Sequence, residues 1–153
     1  MRERVRGVLI TPAGHLLLIK RIRPGAAPYW VLPGGGVETD DVSLEAALHR
    51  EIHEELAGTA TICSLIHVIE GDDRQHVFLA RTHTWDPARR SGPEFADPAR
   101  GDYVVQEVPL TAAGLAGITL VPASAARLLA DHGDTLFALP DLRSVRLPAP
   151  PGP

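Results

Sequence analysis

The sequence contains one cysteine, Cys63, and one lysine, Lys20, in 153 residues, and only 5% of it is aromatic. A lone cysteine excludes a disulfide within the chain and suits a reducing, cytoplasmic setting. It sits in the apolar run from Ile62 to Ile69 and reads as a small buried hydrophobe, not a nucleophile. No apolar stretch approaches the roughly 18 residues of a membrane helix. The opening Met1-Arg2-Glu3-Arg4 leads into a short strand-like run with no cleavage site after it, so no signal peptide is expected. There is no basic excess either. The net charge is −4, which provides no general field for a nucleic-acid polymer. Nucleophile-elbow and Walker-type loops are missing.

What is present is a chain long enough for one domain with a core. Abundant Arg, Ala and Pro point to a GC-rich bacterial genome. Residues 3–21 read as a hairpin around Thr11-Pro12-Ala13-Gly14. A loop over 21–28 leads to a brief strand at 29–32 and then to Pro33-Gly34-Gly35-Gly36. A helix is predicted from about Val42 to Leu56, capped by Asp41 or Ser43 and ended by Gly58. Residues 59–69 and 75–84 form a second hairpin across Gly71-Asp72-Asp73-Arg74. A long polar loop over 85–101, a strand at 103–108, a helical turn near 111–116 and a helix over 123–132 complete the domain. The order strands, helix, strands, helix predicts an α/β (α+β) fold with a mixed sheet. The domain is expected over 1–140, with 141–153 a Pro-rich, disordered tail.

The helix carries the chemistry. With Leu44 at zero on a helical wheel, Leu48, Ile52 and Leu56 fall at about 40°, 80° and 120°. Glu55 and Glu51 fall at about 20° and 340°, inside that apolar stripe, and Glu54 at about 280°, on its rim. Like charges at i, i+4 repel by about 0.2–0.5 kcal/mol even in solvent, and burial adds a desolvation penalty. A solvated acidic face is the ordinary fate of such a run, but these positions contradict it. Arg50 offsets only part of the charge. A bound divalent cation offsets the rest, and an all-carboxylate donor set suits Mg²⁺, with Mn²⁺ the alternative, rather than Zn²⁺. The preceding glycines let backbone approach a phosphate or metal, and Glu38 adds a further carboxylate. His49 and His53 have zinc-helix spacing, but Arg50 follows His49 where a zinc protease needs Glu, and both face away from the apolar stripe.

The segment Gly-Gly-Gly-Val-Glu, followed after about a dozen residues by Arg50-Glu51-Ile52-His53-Glu54-Glu55, resembles the Nudix box. Trp30-Val31-Leu32-Pro33-Gly34-Gly35 resembles the approach to it. The spacing departs by one residue. Counted from Gly35, Asp41 takes the early acidic position and Arg50 comes one late; counted from Gly36, the Arg-Glu spacing is regular but Val42 takes the acidic position. The preferred reading is a one-residue insertion around Thr39 to Val42. Ala57 stands where the box has glycine.

The resemblance implies an α/β/α sandwich and water attack on a pyrophosphate linkage assisted by divalent cations. It implies a nucleoside diphosphate linked to another moiety as substrate, in a nucleotide or nucleotide-sugar, and admits a homodimer. It assigns Glu51, Glu54 and Glu55 as metal ligands, a backbone carbonyl near Gly35 as a further ligand, and Arg50 as the orienting cation. Glu94 is the expected general base, with Glu70 and Glu107 as rivals. Arg21, Arg23, Gly34, Gly36 and Glu38 are expected to contact substrate. Arg81 and Trp85 are read either as cleft residues or as solvent-facing ones. A non-catalytic Nudix-fold nucleotide sensor is the alternative, disfavoured by the intact carboxylate set.

Overall fold

Short runs of apolar residues, buried on both faces, build the central strands of the sheet. The structure, a computed structural model, describes residues 2–91 and 98–144. Its strands are β1 (Arg2–Ile10), β2 (His15–Ile22), β3 (Tyr29–Val31) and β4 (Gly34–Gly36), followed by helix α1 (Leu44–Leu56). Then come β5 (Thr59–Glu70), β6 (Asp73–Thr84), β7 (Asp102–Pro109), the short α2 (Ala112–Leu115), β8 (Leu120–Val121) and α3 (Ala123–His132). The sheet is mixed: β1 pairs parallel with β6 and antiparallel with β2 and β4.

Alternation along β1 and β2 divides the core into two layers. Val5, Leu9 and Leu17 pack with Leu48, Ile52 and Leu56 of α1. Val8, Ile10, Leu16 and Leu18 pack with Ala125 and Leu129 of α3. The result is a sheet between two helical layers, the expected α/β/α arrangement. Leu48, Ile52 and Leu56 are fully buried, and each contributes about 2 kcal/mol by leaving water. That anchorage fixes the roll of α1, and so the direction of its carboxylates.

Three local features differ from expectation. The glycine run, given no element from sequence, is a strand: Gly34, Gly35 and Gly36 pair with Arg6, Val5 and Arg4. The first hairpin is therefore short, with β1 and β2 in register only at Leu9↔Leu17 and Ile10↔Leu16. Helix α1 begins at Leu44, where the Ser43 hydroxyl accepts from the Ala46 amide at 3.0 Å. It ends at Ala57, whose φ of 45° takes the left-handed position expected of Gly58. Gly58 is required for space instead, because a Cβ there would lie 2.8 Å from the Thr84 carbonyl oxygen. Cys63 is half-buried, less enclosed than expected.

The folded part extends past residue 140. The Leu142 amide donates to the Leu65 carbonyl at 2.9 Å, and the Leu65 amide donates to the Asp141 carboxylate at 3.1 Å. Residues 145–153 of the expected tail lie outside the described residues.

Candidate active site

The glycine strand runs beside α1, and Glu51 and Glu55 face it. Both glutamates are buried, at 8% and 5% exposure, while His49 and His53 are exposed. Their burial follows from the wheel positions inside the apolar stripe. Glu55 Oε1 accepts from the Gly34 amide at 2.7 Å. Glu51 lies so close to Gly35 that a Cβ there would stand 2.5 Å from Glu51 Oε1. Gly34 has φ +149°, and a Cβ on it would meet the Val5 carbonyl oxygen at 2.0 Å. Glycine at these two positions is thus a condition for bringing backbone and carboxylates together.

Arg50 gathers the acidic groups. Its Nε and Nη2 donate to Asp41 Oδ1 and Oδ2 at 3.0 and 2.9 Å. Nη1 donates to Glu51 Oε1 at 3.0 Å and to Glu54 Oε2 at 3.3 Å, and Nη2 also donates to the Gly36 carbonyl at 3.0 Å. Glu38 Oε1 stands 3.5 Å from Nη1. The hydrogen bonds to Asp41, helped by Glu51, push the Arg50 pKa up. In return Arg50 holds the Asp41 carboxyl below its ordinary value, aided by the Glu38 amide, which donates to Asp41 Oδ2 at 2.7 Å. Val42, in the same loop, is 93% exposed. The irregular loop therefore still delivers an acidic side chain to Arg50.

These groups line a cleft of about 510 Å³. It brings together Arg21, Gly34, Gly35, Gly36, Glu38, Arg50, Glu51, Glu54 and Glu55 from the sequence-predicted set. Arg21 is fixed by stacking 3.7 Å from the Tyr103 ring centroid and by donating to the Arg100 carbonyl at 2.8 Å. Arg23 is exposed, 6.0 Å from the Tyr29 ring centroid, and does not line the cleft. Arg81 and Trp85 are not brought to it either. Arg81 lies 4.0 Å from the Phe137 ring centroid, and Trp85 packs against the core layer beneath α1. Glu70 pairs with Arg74 and Glu107 with His15, both away from the cleft. Glu94 lies outside the described residues.

Arg2, Arg4, Arg6, Arg100 and Tyr103 also line the cleft and were not singled out from sequence, and so does Tyr29, which the sequence reading assigned to the core. The alternation Arg2-Glu3-Arg4-Val5-Arg6 carries the signal for three of them, since period two puts the arginines on one side of a strand.

The NUDIX domain family model matches residues 1–116, which include the whole glycine strand and α1. The chain belongs to the NUDIX family. No curated protein matches the sequence. Among solved structures, the MutT NUDIX hydrolase from Burkholderia pseudomallei is 25% identical, with 85% of this chain and 95% of that one covered and a TM-score of 0.56. A MutT from work on Aliivibrio salmonicida and Vibrio cholerae is 21% identical, covering 90% and 97%, with a TM-score of 0.59. A NUDIX hydrolase from Nitrosomonas europaea is 17% identical, covering 95% and 96%, with a TM-score of 0.65. The last two show the fold alone. As a Nudix protein the chain is a hydrolase of pyrophosphate bonds, from a family that generally uses divalent metals and small nucleotide-type substrates.

The donors present fit a hard divalent cation. Glu51, Glu54 and Glu55 offer six carboxylate oxygens along one edge of the cleft. Among the described residues no three acidic, histidine or cysteine side chains converge on one point. Glu51 and Glu54 turn to Arg50 and Glu55 to the Gly34 amide, so loading the site requires these carboxylates to reorient. No helix in the described residues is long and apolar enough to cross a membrane.

Proposed function

We propose that the chain is a Mg²⁺-dependent pyrophosphohydrolase that cleaves a nucleoside diphosphate linked to another moiety by water attack on phosphorus. The observation that carries this reading is the burial of Glu51 and Glu55 against the glycine strand, with Glu54 and Arg50 beside them. Buried like charges are costly in a protein that binds no cation to offset them.

In this reading Glu51, Glu54 and Glu55 hold Mg²⁺, with Mn²⁺ able to replace it and the Gly35 carbonyl as a further donor. Bound there, the cation polarises phosphoryl oxygens and lowers the pKa of water. Arg50 keeps Glu51 and Glu54 in register by charge-assisted hydrogen bonds, and Asp41 fixes Arg50. Arg21, Gly34 and Gly36 meet the phosphates. Glu94 is the general base, on its sequence position alone. The setting is cytoplasmic, and a homodimer is the proposed assembly.

The competing reading is a nucleotide sensor without turnover. Phosphate release from a panel of nucleotides and nucleotide sugars with Mg²⁺ separates the two. Turnover that Glu54→Gln and Glu55→Gln abolish supports the enzyme. Binding without turnover across the panel refutes it.

A further inference from the structure

The cleft has a second wall that the box does not supply. Arg2, Arg4 and Arg6 project from alternate positions of β1 and all line it, with Arg21 and Arg100 nearby. Alternate residues on a strand stand about 6.6–6.8 Å apart, so the three arginines are rooted along a longer stretch of strand than one phosphate spans. The whole chain carries a net charge of −4, so this local concentration of positive charge runs against its overall balance.

The three arginines are not equally committed to the fold. Arg4 Nε is held by Asp73 at 2.6 Å. Arg6 donates from Nε to Gln75 at 3.1 Å and from Nη1 to the Leu32 carbonyl at 3.2 Å, both neutral acceptors. Its Nη2 makes no hydrogen bond among the described residues and is not enclosed. Burial lowers the Arg6 pKa, Glu55 opposes that, Arg4 adds to it, and Glu51 opposes it again. Arg2 is exposed, and its guanidinium lies over Gly36, with Nη2 2.8 Å from where a Cβ would stand.

We infer that the β1 arginines bind phosphates beyond the scissile linkage, so that the chain selects substrates with three or more phosphates in a row over diphosphates joined to a sugar. This rests on the hydrolase reading above. The carboxylate edge takes the bond to be cut. Arg6, then Arg4 and Arg2, follow the rest of the chain along β1 as successive charge-assisted contacts. A neutral sugar at the same place offers Arg2 and Arg6 no anion to bind.

The test uses the intact protein and two inorganic probes, tripolyphosphate and pyrophosphate. Calorimetry in metal-free buffer measures binding where neither is hydrolysed. Tripolyphosphate is expected to bind at least tenfold more tightly, as one added charged hydrogen bond would give. Arg2→Ala, at an exposed position, should remove most of that advantage while changing pyrophosphate affinity less than twofold. Arg6→Lys should retain part of it and Arg6→Gln lose it, with thermal melts verifying the fold. Equal affinities for the two probes, or an advantage untouched in Arg2→Ala and Arg6→Gln, overturns the inference. With Mg²⁺, nucleoside triphosphates should exceed nucleoside diphosphate sugars at least tenfold in kcat/KM. The reverse preference also overturns it. Absence of turnover on every substrate would refute the hydrolase reading instead, and the metal-free binding result would still decide the role of the arginine wall.

Discussion

Asp41 grips Arg50 through both carboxylate oxygens, at 3.0 and 2.9 Å, from a loop one residue longer than the box pattern. The same guanidinium reaches Glu51 and Glu54. A residue outside the helix therefore sets the position of two carboxylates on it. Val42, next to Asp41, points to solvent.

Asp41→Asn should consequently impair catalysis more than folding. It removes the charge that orients Arg50, and sub-ångström misplacement of catalytic groups is expensive. We expect kcat to fall about tenfold to a hundredfold, with Tm nearly unchanged. Steady-state kinetics and a melting curve check this. An unchanged kcat would remove Asp41 from the site.

Neighbouring glycines should separate site from scaffold. Gly35→Ala puts a methyl 2.5 Å from Glu51 Oε1, and a carboxylate can swing aside, so the loss should appear as activity and metal affinity. Gly34→Ala meets the Val5 backbone at 2.0 Å with φ +149°. Backbone cannot yield as easily, and about 2–4 kcal/mol of stability should be lost. Denaturant unfolding and Mn²⁺ titration of both variants give the comparison.

Ala57 offers a stabilising change. It holds φ 45° at the end of α1, a conformation that costs a residue with a Cβ about 1 kcal/mol. Ala57→Gly should raise stability by roughly 0.5–1 kcal/mol and leave kcat unaltered. Chemical denaturation measures it.

Acid should act on the closing segment in a defined direction. Hydrogen bonds from Arg143, then from the Leu65 amide, hold the Asp141 carboxyl well below the usual carboxylate range. Its folded pKa is depressed, so its contribution is complete above the unfolded value of about 3.9 and is lost as pH falls through the folded value. Asp141→Asn should cost about 1 kcal/mol at pH 7. The gap from wild type should be constant down to about pH 5 and close below about pH 4. Melting curves from pH 7 to pH 2 follow it.

Much of this architecture was legible because it rests on local periodicity. The α1 wheel foretold that Glu51 and Glu55 would be buried and His49 and His53 exposed, and the strands β1, β2, β5 and β6 followed from their apolar and β-rich runs. Pairing was harder to read. Gly34–Gly36 has no side chains to show a period, and it becomes a strand only because β1 lies beside it. The two-residue β8 exists through its partner β3. The cleft role of Arg2, Arg4 and Arg6 depends on that same pairing, which places β1 between the glycine strand and β6. Arg81 and Trp85 had suitable chemistry, but Arg81, on β6, lies beside Phe137, and Trp85, just past the end of β6, packs against the core.

The central claim is that the buried carboxylates of α1 make a Mg²⁺-dependent pyrophosphohydrolase. The direct measurement is phosphate release from the nucleotide panel by wild type, with Mg²⁺ and with chelator, alongside Glu54→Gln and Glu55→Gln. The account predicts turnover that needs the metal and falls at least a hundredfold in either variant, since each replaces a donor to the metal. Full activity in both variants, or turnover that persists in chelator, would contradict it.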